Sequence, residues 1–147
     1  MDKQQFMAKV EKAYETAALK PESIFMFKLL QFEFDYDEDE KTCTITCPVS
    51  EIMLNPTGIV HGGIFTLLAD TAMGHLNFQF KDAPYVTLEL KNTFFKATST
   101  GTLKATARYV KDGYKVSFIE AEVCNEAGEL MCKTSGTFYR YEKKMKS

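Results

Sequence analysis

The spacing of apolar residues changes period along the chain, and each change marks an element. Over residues 2–19, Phe6, Val10, Ala13 and Ala17 fall on one stripe, which predicts an amphipathic N-terminal helix. Pro21 stops that helix or begins the next turn, because proline removes a helical donor. Over residues 27–36 the period shortens to two. Leu30, Phe32, Phe34 and Tyr36 alternate with Gln31, Glu33 and Asp35, the pattern of a strand with one buried face. From Thr42 to Val49 the alternation resumes, with Cys43, Ile45, Cys47 and Val49 together, so the two stretches predict a hairpin. The acidic run Asp35-Tyr36-Asp37-Glu38-Asp39-Glu40-Lys41 between them reads as its solvated turn. It lacks the ligand, glycine and glutamate spacing of a calcium loop.

Residues 59–80 behave differently. Ile64, Phe65, Leu67, Leu68, Ala69, Ala72, Met73, Leu76, Phe78 and Phe80 cover most of a helical surface, which predicts a helix buried nearly all round. The Asp, His, Asn, Gln, Thr and Gly residues scattered through it argue against a membrane span. Four strand-like stretches follow, near residues 84–96, 101–111, 114–124 and 130–141. Their breaks fall at Gly101, Asp112-Gly113 and Glu126-Ala127-Gly128, and Asp112-Gly113 predicts a two-residue hairpin. The order is helix, two strands, buried helix, four strands. This is an α+β pattern in which a long antiparallel sheet wraps one apolar helix, helped by a partner chain where the sheet does not reach. No linker or internal repeat divides residues 1–147, so one domain is expected.

Composition narrows the picture. The 147 residues are 45% hydrophobic, enough to build a real core. Eighteen basic and 20 acidic residues leave a net charge of −2, spread along the chain, which argues against nucleic-acid or membrane-surface binding. The polar start Met1-Asp2-Lys3-Gln4-Gln5 has no apolar stretch behind it of the kind a secretory signal carries. Cys43, Cys47, Cys124 and Cys132 include no Cys-x-x-Cys pair and fall in strand-like stretches, as expected of small buried hydrophobes in a reducing cytoplasm. With only two histidines, His61 and His75, no metal site is expected.

Candidate chemistry collects around the buried helix. Asp70 is the only formally charged residue between Ile59 and Phe80. Burying a lone carboxylate is costly unless it is paired. Asp70 is therefore either an aspartate on the polar edge of the helix or a functional carboxylate. The run Asn55-Pro56-Thr57-Gly58-Ile59-Val60-His61-Gly62-Gly63 is rich in turn residues, and Gly62-Gly63 opens the helix. Free N–H groups in a first helical turn, with no side chain in the way, suit an oxyanion; a plain glycine turn fits the residues as well. Gly62 and Asp70 are eight residues apart, or about 12 Å along the axis, and a base must sit within about 3 Å of its proton. One chain therefore cannot bring both to one substrate. A second, antiparallel copy of the helix can, so any such chemistry requires a two-fold dimer.

The spacing Asn55-x5-His61-Gly62-Gly63-x6-Asp70 resembles the signature of the hotdog-fold thioesterases, in the PaaI-like branch of the hydroxybenzoyl-CoA thioesterase superfamily. The likeness extends to the element order over residues 25–141. The resemblance implies hydrolysis of an acyl-CoA by a cytoplasmic homodimer, or by a tetramer formed as a dimer of dimers, without a cofactor. It implies that the Gly62 N–H polarises the thioester carbonyl and that Asp70 of the partner chain acts on water as base, or on the carbonyl as nucleophile. Asn55 would help hold the carbonyl or the water, and the Thr87 hydroxyl would support the Asp70 carboxylate. His61 would fix the turn before the oxyanion hole through a hydrogen bond rather than move a proton, and His61 and Gly63 would count among the substrate-binding residues. Lys91 and Asn92 would meet the CoA moiety, with Lys96 and Lys104 as further candidates for its phosphates. His75 matches no motif position and reads as a packed or interface histidine. Asn77, Phe78 and Phe80 fit core packing more simply than an acyl pocket. The competing reading is a non-catalytic hotdog domain that binds or senses acyl-CoA; the presence of Asp70 argues against it.

Overall fold

The computed structural model describes residues 1–142; of the domain read over residues 1–147, positions 143–147 lie outside that range. Helix α1 (Lys3–Thr16) begins where a capping box forms: the Asp2 side chain accepts from the Gln5 N–H, and the Gln5 side chain accepts from the Asp2 N–H. It ends three residues short of the predicted limit. The Thr16 hydroxyl bonds back to the Lys12 carbonyl and Ala17 is already extended.

The stretch expected as one strand over residues 27–36 is split. Helix α2 (Phe25–Leu29) takes its first part, and strand β1 (Glu33–Asp37) its second. The apolar spacing Phe27–Leu30 suits a helical turn as well as a buried strand, so periodicity alone cannot choose between them. Gln31, at φ 57°, reverses the chain between the two and lets the Phe27 ring stack on Phe32 at 5.4 Å. Strand β2 (Thr42–Pro48) pairs with β1, from Glu33↔Thr46 to Asp37↔Thr42. Only residues 38–41 of the acidic run form its turn, since Asp35, Tyr36 and Asp37 pair within β1; the Asp37 carboxylate accepts from the Asp39 and Glu40 N–H groups at 3.0 and 2.8 Å.

Helix α3 (Gly62–Phe80) is followed by β3 (Tyr85–Phe94), β4 (Thr102–Lys111), β5 (Val116–Cys124) and β6 (Leu130–Arg140). The six strands form one antiparallel sheet in the order β1-β2-β4-β5-β6-β3. Alternation sends Leu103, Ala105 and Ala107 of β4, and Ile119, Ala121 and Val123 of β5, to the helix side, all of them buried. Leu68, Ala69, Ala72, Met73 and Leu76 of α3 meet them with no exposed surface. Burying Leu68, Met73 and Leu76 stabilises the fold by about 1.5–3 kcal/mol each. Small residues let the helix sit close: a Cβ on Gly136 of β6 would lie 2.8 Å from the Met73 sulfur.

The β4–β5 connection differs from expectation. It spans residues 112–115 rather than the two residues Asp112-Gly113. Gly113 is needed there because a Cβ would fall 2.0 Å from the Val116 carbonyl oxygen. The helix starts at Gly62, where the Gly62-Gly63 pair is expected to open it, and residues 55–60 before it are held as a turn closed by the Asn55 N–H to the Ile59 carbonyl at 2.8 Å. Phe78, expected to pack in the core, is 59% exposed, whereas Asn77 beside it is buried. Phe78 belongs to a stripe of α3 that the sheet leaves uncovered, together with Gly63, Leu67, Asp70 and Gly74.

Candidate active site

The turn before α3 is fixed from both sides. The His61 N–H donates to the carbonyl of buried Met53 at 2.8 Å, and the Val60 N–H to the Thr98 carbonyl at 2.8 Å. As N-cap, His61 turns its ring back, so that Nδ1 accepts from the Gly63 N–H at 2.9 Å. The Gly62 N–H has no acceptor among the described residues. It is the free donor at the positive end of the helix. A Cβ on Gly62 would meet the Phe94 ring at 3.4 Å, so this aromatic roofs the glycine. Phe94 in turn meets Phe65 edge-on, with centroids 6.2 Å apart. In the sequence Phe94 is only one residue of the strand-like stretch 84–96. Its position over Gly62 follows from β3 running back along α3, a long-range register that no local pattern reveals.

Asn55 lies in the same place, but half its amide is committed. Its Oδ1 accepts from the Thr57 N–H at 2.9 Å and the Thr57 hydroxyl at 2.7 Å. Nδ2 is the end left to donate elsewhere. Asn55, Val60, Gly62, Phe65, Phe94 and Lys96 surround a pocket of about 340 Å³.

Two turns further along α3, Asp70 is half-buried, and its Oδ1 accepts from the Thr87 hydroxyl at 2.7 Å. Thr87 stands next to a register shift in the β3–β6 pairing. Asp70 and Thr87 are thus brought together. Gly62 and Asp70 remain eight residues apart on one continuous helix, about 12 Å along its axis.

Lys91 and Asn92 separate. Asn92 pairs with buried Thr134, whose hydroxyl donates to Asn92 Oδ1 at 2.7 Å, on the helix side of the sheet. Lys91 pairs with exposed Ser135 on the opposite side. Lys96 is ion-paired with Glu129. His75 is buried and stacked on Phe34 at 4.3 Å, with Nδ1 2.9 Å from the Tyr36 hydroxyl. Burial pushes its pKa below the ordinary histidine value. Burial likewise raises the Cys43 and Cys47 thiols, both to about 12, which keeps them protonated. Among the described residues no three His, Cys, Asp or Glu side chains converge to hold a metal ion, and no helix is long and apolar enough to cross a membrane.

A six-stranded antiparallel sheet laid along one long helix, with an additional helix at the N-terminus, is a hotdog fold. The chain belongs to the thioesterase superfamily: that family's model matches residues 57–132, just over half the chain. The match includes His61, Gly62, Gly63, Asp70, Thr87, Lys91 and Asn92, and begins just after Asn55. Among solved structures, a Bacillus halodurans protein determined with CoA is 26% identical, over 98% of this chain and 97% of its own, with a TM-score of 0.85. A thioesterase from Haemophilus influenzae is 18% identical over 86% of this chain and 94% of its own, with a TM-score of 0.74. A phenylacetic acid degradation-related protein from Ralstonia eutropha is 21% identical over 89% and 98%, also with a TM-score of 0.74. The last two likenesses show the fold alone. No curated protein matches the chain.

Proposed function

We propose that this chain is a single-domain, PaaI-like acyl-CoA thioesterase that works as a two-fold dimer in the cytoplasm. The observation that carries the reading is the Asp70–Thr87 pair, held at 2.7 Å on the open stripe of a helix whose own first turn presents the free Gly62 N–H. The membership in the thioesterase superfamily and the likeness to a protein solved with CoA support the substrate class. The free cysteines suit a reducing compartment.

The chemistry follows from the geometry. The thioester carbonyl accepts from the Gly62 N–H of one subunit, and from Asn55 Nδ2 where its free end reaches. Asp70 of the other subunit takes a proton from water through the oxygen that Thr87 does not hold. The water oxygen adds to the carbonyl carbon, and the charge that develops on the carbonyl oxygen is met by the amide. Collapse of the adduct breaks the carbon–sulfur bond and releases the free acid, while the CoA sulfur leaves with the proton. His61 keeps the Gly63 N–H occupied, so that Gly62 is the donor presented, and Gly63 itself leaves the approach clear. Asn92 and Lys91, on opposite faces of β3, serve the pantetheine arm and the phosphates respectively.

The dimer is supported by what one chain leaves open. The edge strand β3 is ten residues long and carries exposed Val86, Leu88 and Phe94, whereas the other edge, β1, has five residues. A long apolar edge invites pairing with another strand. Phe118 and Tyr139, exposed on the outer sheet face, suit a second interface between dimers. The test is thiol release from a panel of acyl-CoAs, with the size of the active species measured alongside. Release by a dimer or tetramer is expected. Binding without release favours an acyl-CoA sensor, and an active monomer overturns the shared site.

A further inference from the structure

We propose that the α3 surface beyond Asp70 is the acyl-tail subsite, that it takes a medium-chain aliphatic group, and that Gly74 sets the length admitted. This inference rests on the shared-site reading above and adds the substrate class to it.

Gly74 lies one helical turn past Asp70 on the uncovered stripe. Glycine inside a helix costs about 1 kcal/mol relative to alanine. Nothing within the chain demands it: a Cβ there would meet no atom within 4 Å, whereas one on Gly136 would strike Met73. Its backbone is ordinary helix, outside the left-handed region that favours glycine. What its bareness does is leave a notch between Asp70 and Phe78. Phe78 stands one turn further on and is 59% exposed, so its ring can close the far end. From Asp70 to Phe78 is eight residues, about 12 Å, a span that suits a medium-chain tail.

The other side of the reacting carbonyl has a different character. There the pocket of about 340 Å³ is lined by Val60, Phe65 and Phe94 but also carries Asn55 and Lys96, polar groups that the amides of the pantetheine arm can meet. The stripe beyond Asp70 offers only Gly74 and Phe78, and so suits the arm that has no polar atoms.

The experiment compares wild type with Gly74→Ala, Gly74→Leu and Phe78→Ala on acetyl-, butyryl-, octanoyl-, decanoyl-, palmitoyl- and benzoyl-CoA. Wild type should prefer octanoyl or decanoyl esters. Gly74→Leu should lower kcat/KM for octanoyl-CoA by at least about tenfold while leaving butyryl-CoA within about threefold, with alanine intermediate. Phe78→Ala should move the preference toward longer tails. Melting temperature and particle size check that each variant is folded and paired. Calorimetric affinities for butyryl- and octanoyl-CoA, measured in an Asp70→Asn background, read the subsite without turnover. The inference is overturned by an equal loss across all tails, by unchanged length preference in rate and affinity, by dissociation of Gly74→Leu into monomers, or by a wild type that prefers acetyl or benzoyl esters. If wild type releases no thiol at all, the hydrolase reading fails, and the affinity series still decides whether tails bind beside Gly74.

Discussion

Replacing Thr87 by valine removes one hydroxyl and almost nothing else. The side chain keeps its volume and β-branching, so strand β3 should be undisturbed. What is lost is the 2.7 Å hydrogen bond to Asp70 Oδ1. A hydrogen bond to a charged group contributes about 1.5–3 kcal/mol. In a single chain Thr87 is exposed and Asp70 half-buried, so water would replace part of the bond and the lower value applies. Docking of a second subunit displaces that water and moves the loss toward the upper value. The expected fall in kcat/KM is therefore between about tenfold and about 150-fold. It should appear mainly in kcat, because the hydroxyl orients a group that acts in the transition state. Steady-state thiol release gives both constants, and Thr87→Ser, which keeps the hydroxyl, should recover most of the loss. In an Asp70→Asn background the valine change should have little further effect, since the hydroxyl works through that carboxylate. A fall below about threefold, or an equal fall in both backgrounds, would refute the assignment of Thr87 as a positioning residue.

Other outcomes follow from the same structure. Asp70→Asn should lower turnover by several orders of magnitude while light scattering still reports the dimer; retained turnover would remove the base from the proposal. Leu88→Lys, on the exposed edge strand, should weaken the dimer and lose activity in proportion, with circular dichroism unchanged. Gly136→Ala should lower stability by about 1–3 kcal/mol in urea titration, because the new methyl lies 2.8 Å from the Met73 sulfur and 2.9 Å from the ring of buried Phe138. His75 supplies a pH dependence. Burial lowers its pKa in the fold, so the folded chain holds it neutral while the unfolded chain binds a proton below about pH 6.5. Its contribution is thus fully present above that pH and is lost as pH falls. The urea midpoint should drop between about pH 7.5 and about pH 5.5, and His75→Gln should flatten that part of the curve.

Much of the fold was legible because its elements have a clean period. Strands β4, β5 and β6 each alternate against one buried face, and their predicted limits differ from the observed ones by no more than two residues. Residues 27–29 were not legible as helix, because Phe27, Leu30 and Phe32 suit a helical turn and a strand equally, and the reversal at Gln31 depends on a left-handed backbone that glutamine does not announce. The Asp112-Gly113 turn was read correctly as a turn and wrongly in length, because the glycine serves the approach of the Val116 carbonyl rather than a two-residue reversal. The motif residues on α3 were legible because they are local to one helix. The placement of Phe94 over Gly62, and the division of Lys91 from Asn92, depend on the pairing of β3 with β6 across forty residues of chain and had no local signal.

The features that a single chain leaves unexplained flank the surface where the Asp70–Thr87 bond joins β3 to α3. Leu88 is exposed on the strand that also carries Thr87, and Phe78 and Gly74 are open on the helix that also carries Asp70. An isolated chain has no reason to hold apolar side chains in water beside a half-buried carboxylate. A second copy across that surface would bury the first group and, by antiparallel placement of α3, bring the carboxylate to a free Gly62 amide. The requirement for burial and the requirement for chemistry are then met by one contact. That is why a substitution such as Leu88→Lys, made against the contact itself, should lose assembly and turnover together, whereas Asp70→Asn and Thr87→Val alter a reacting or orienting group, and the Gly74 and Phe78 changes alter the tail subsite, within a dimer that persists.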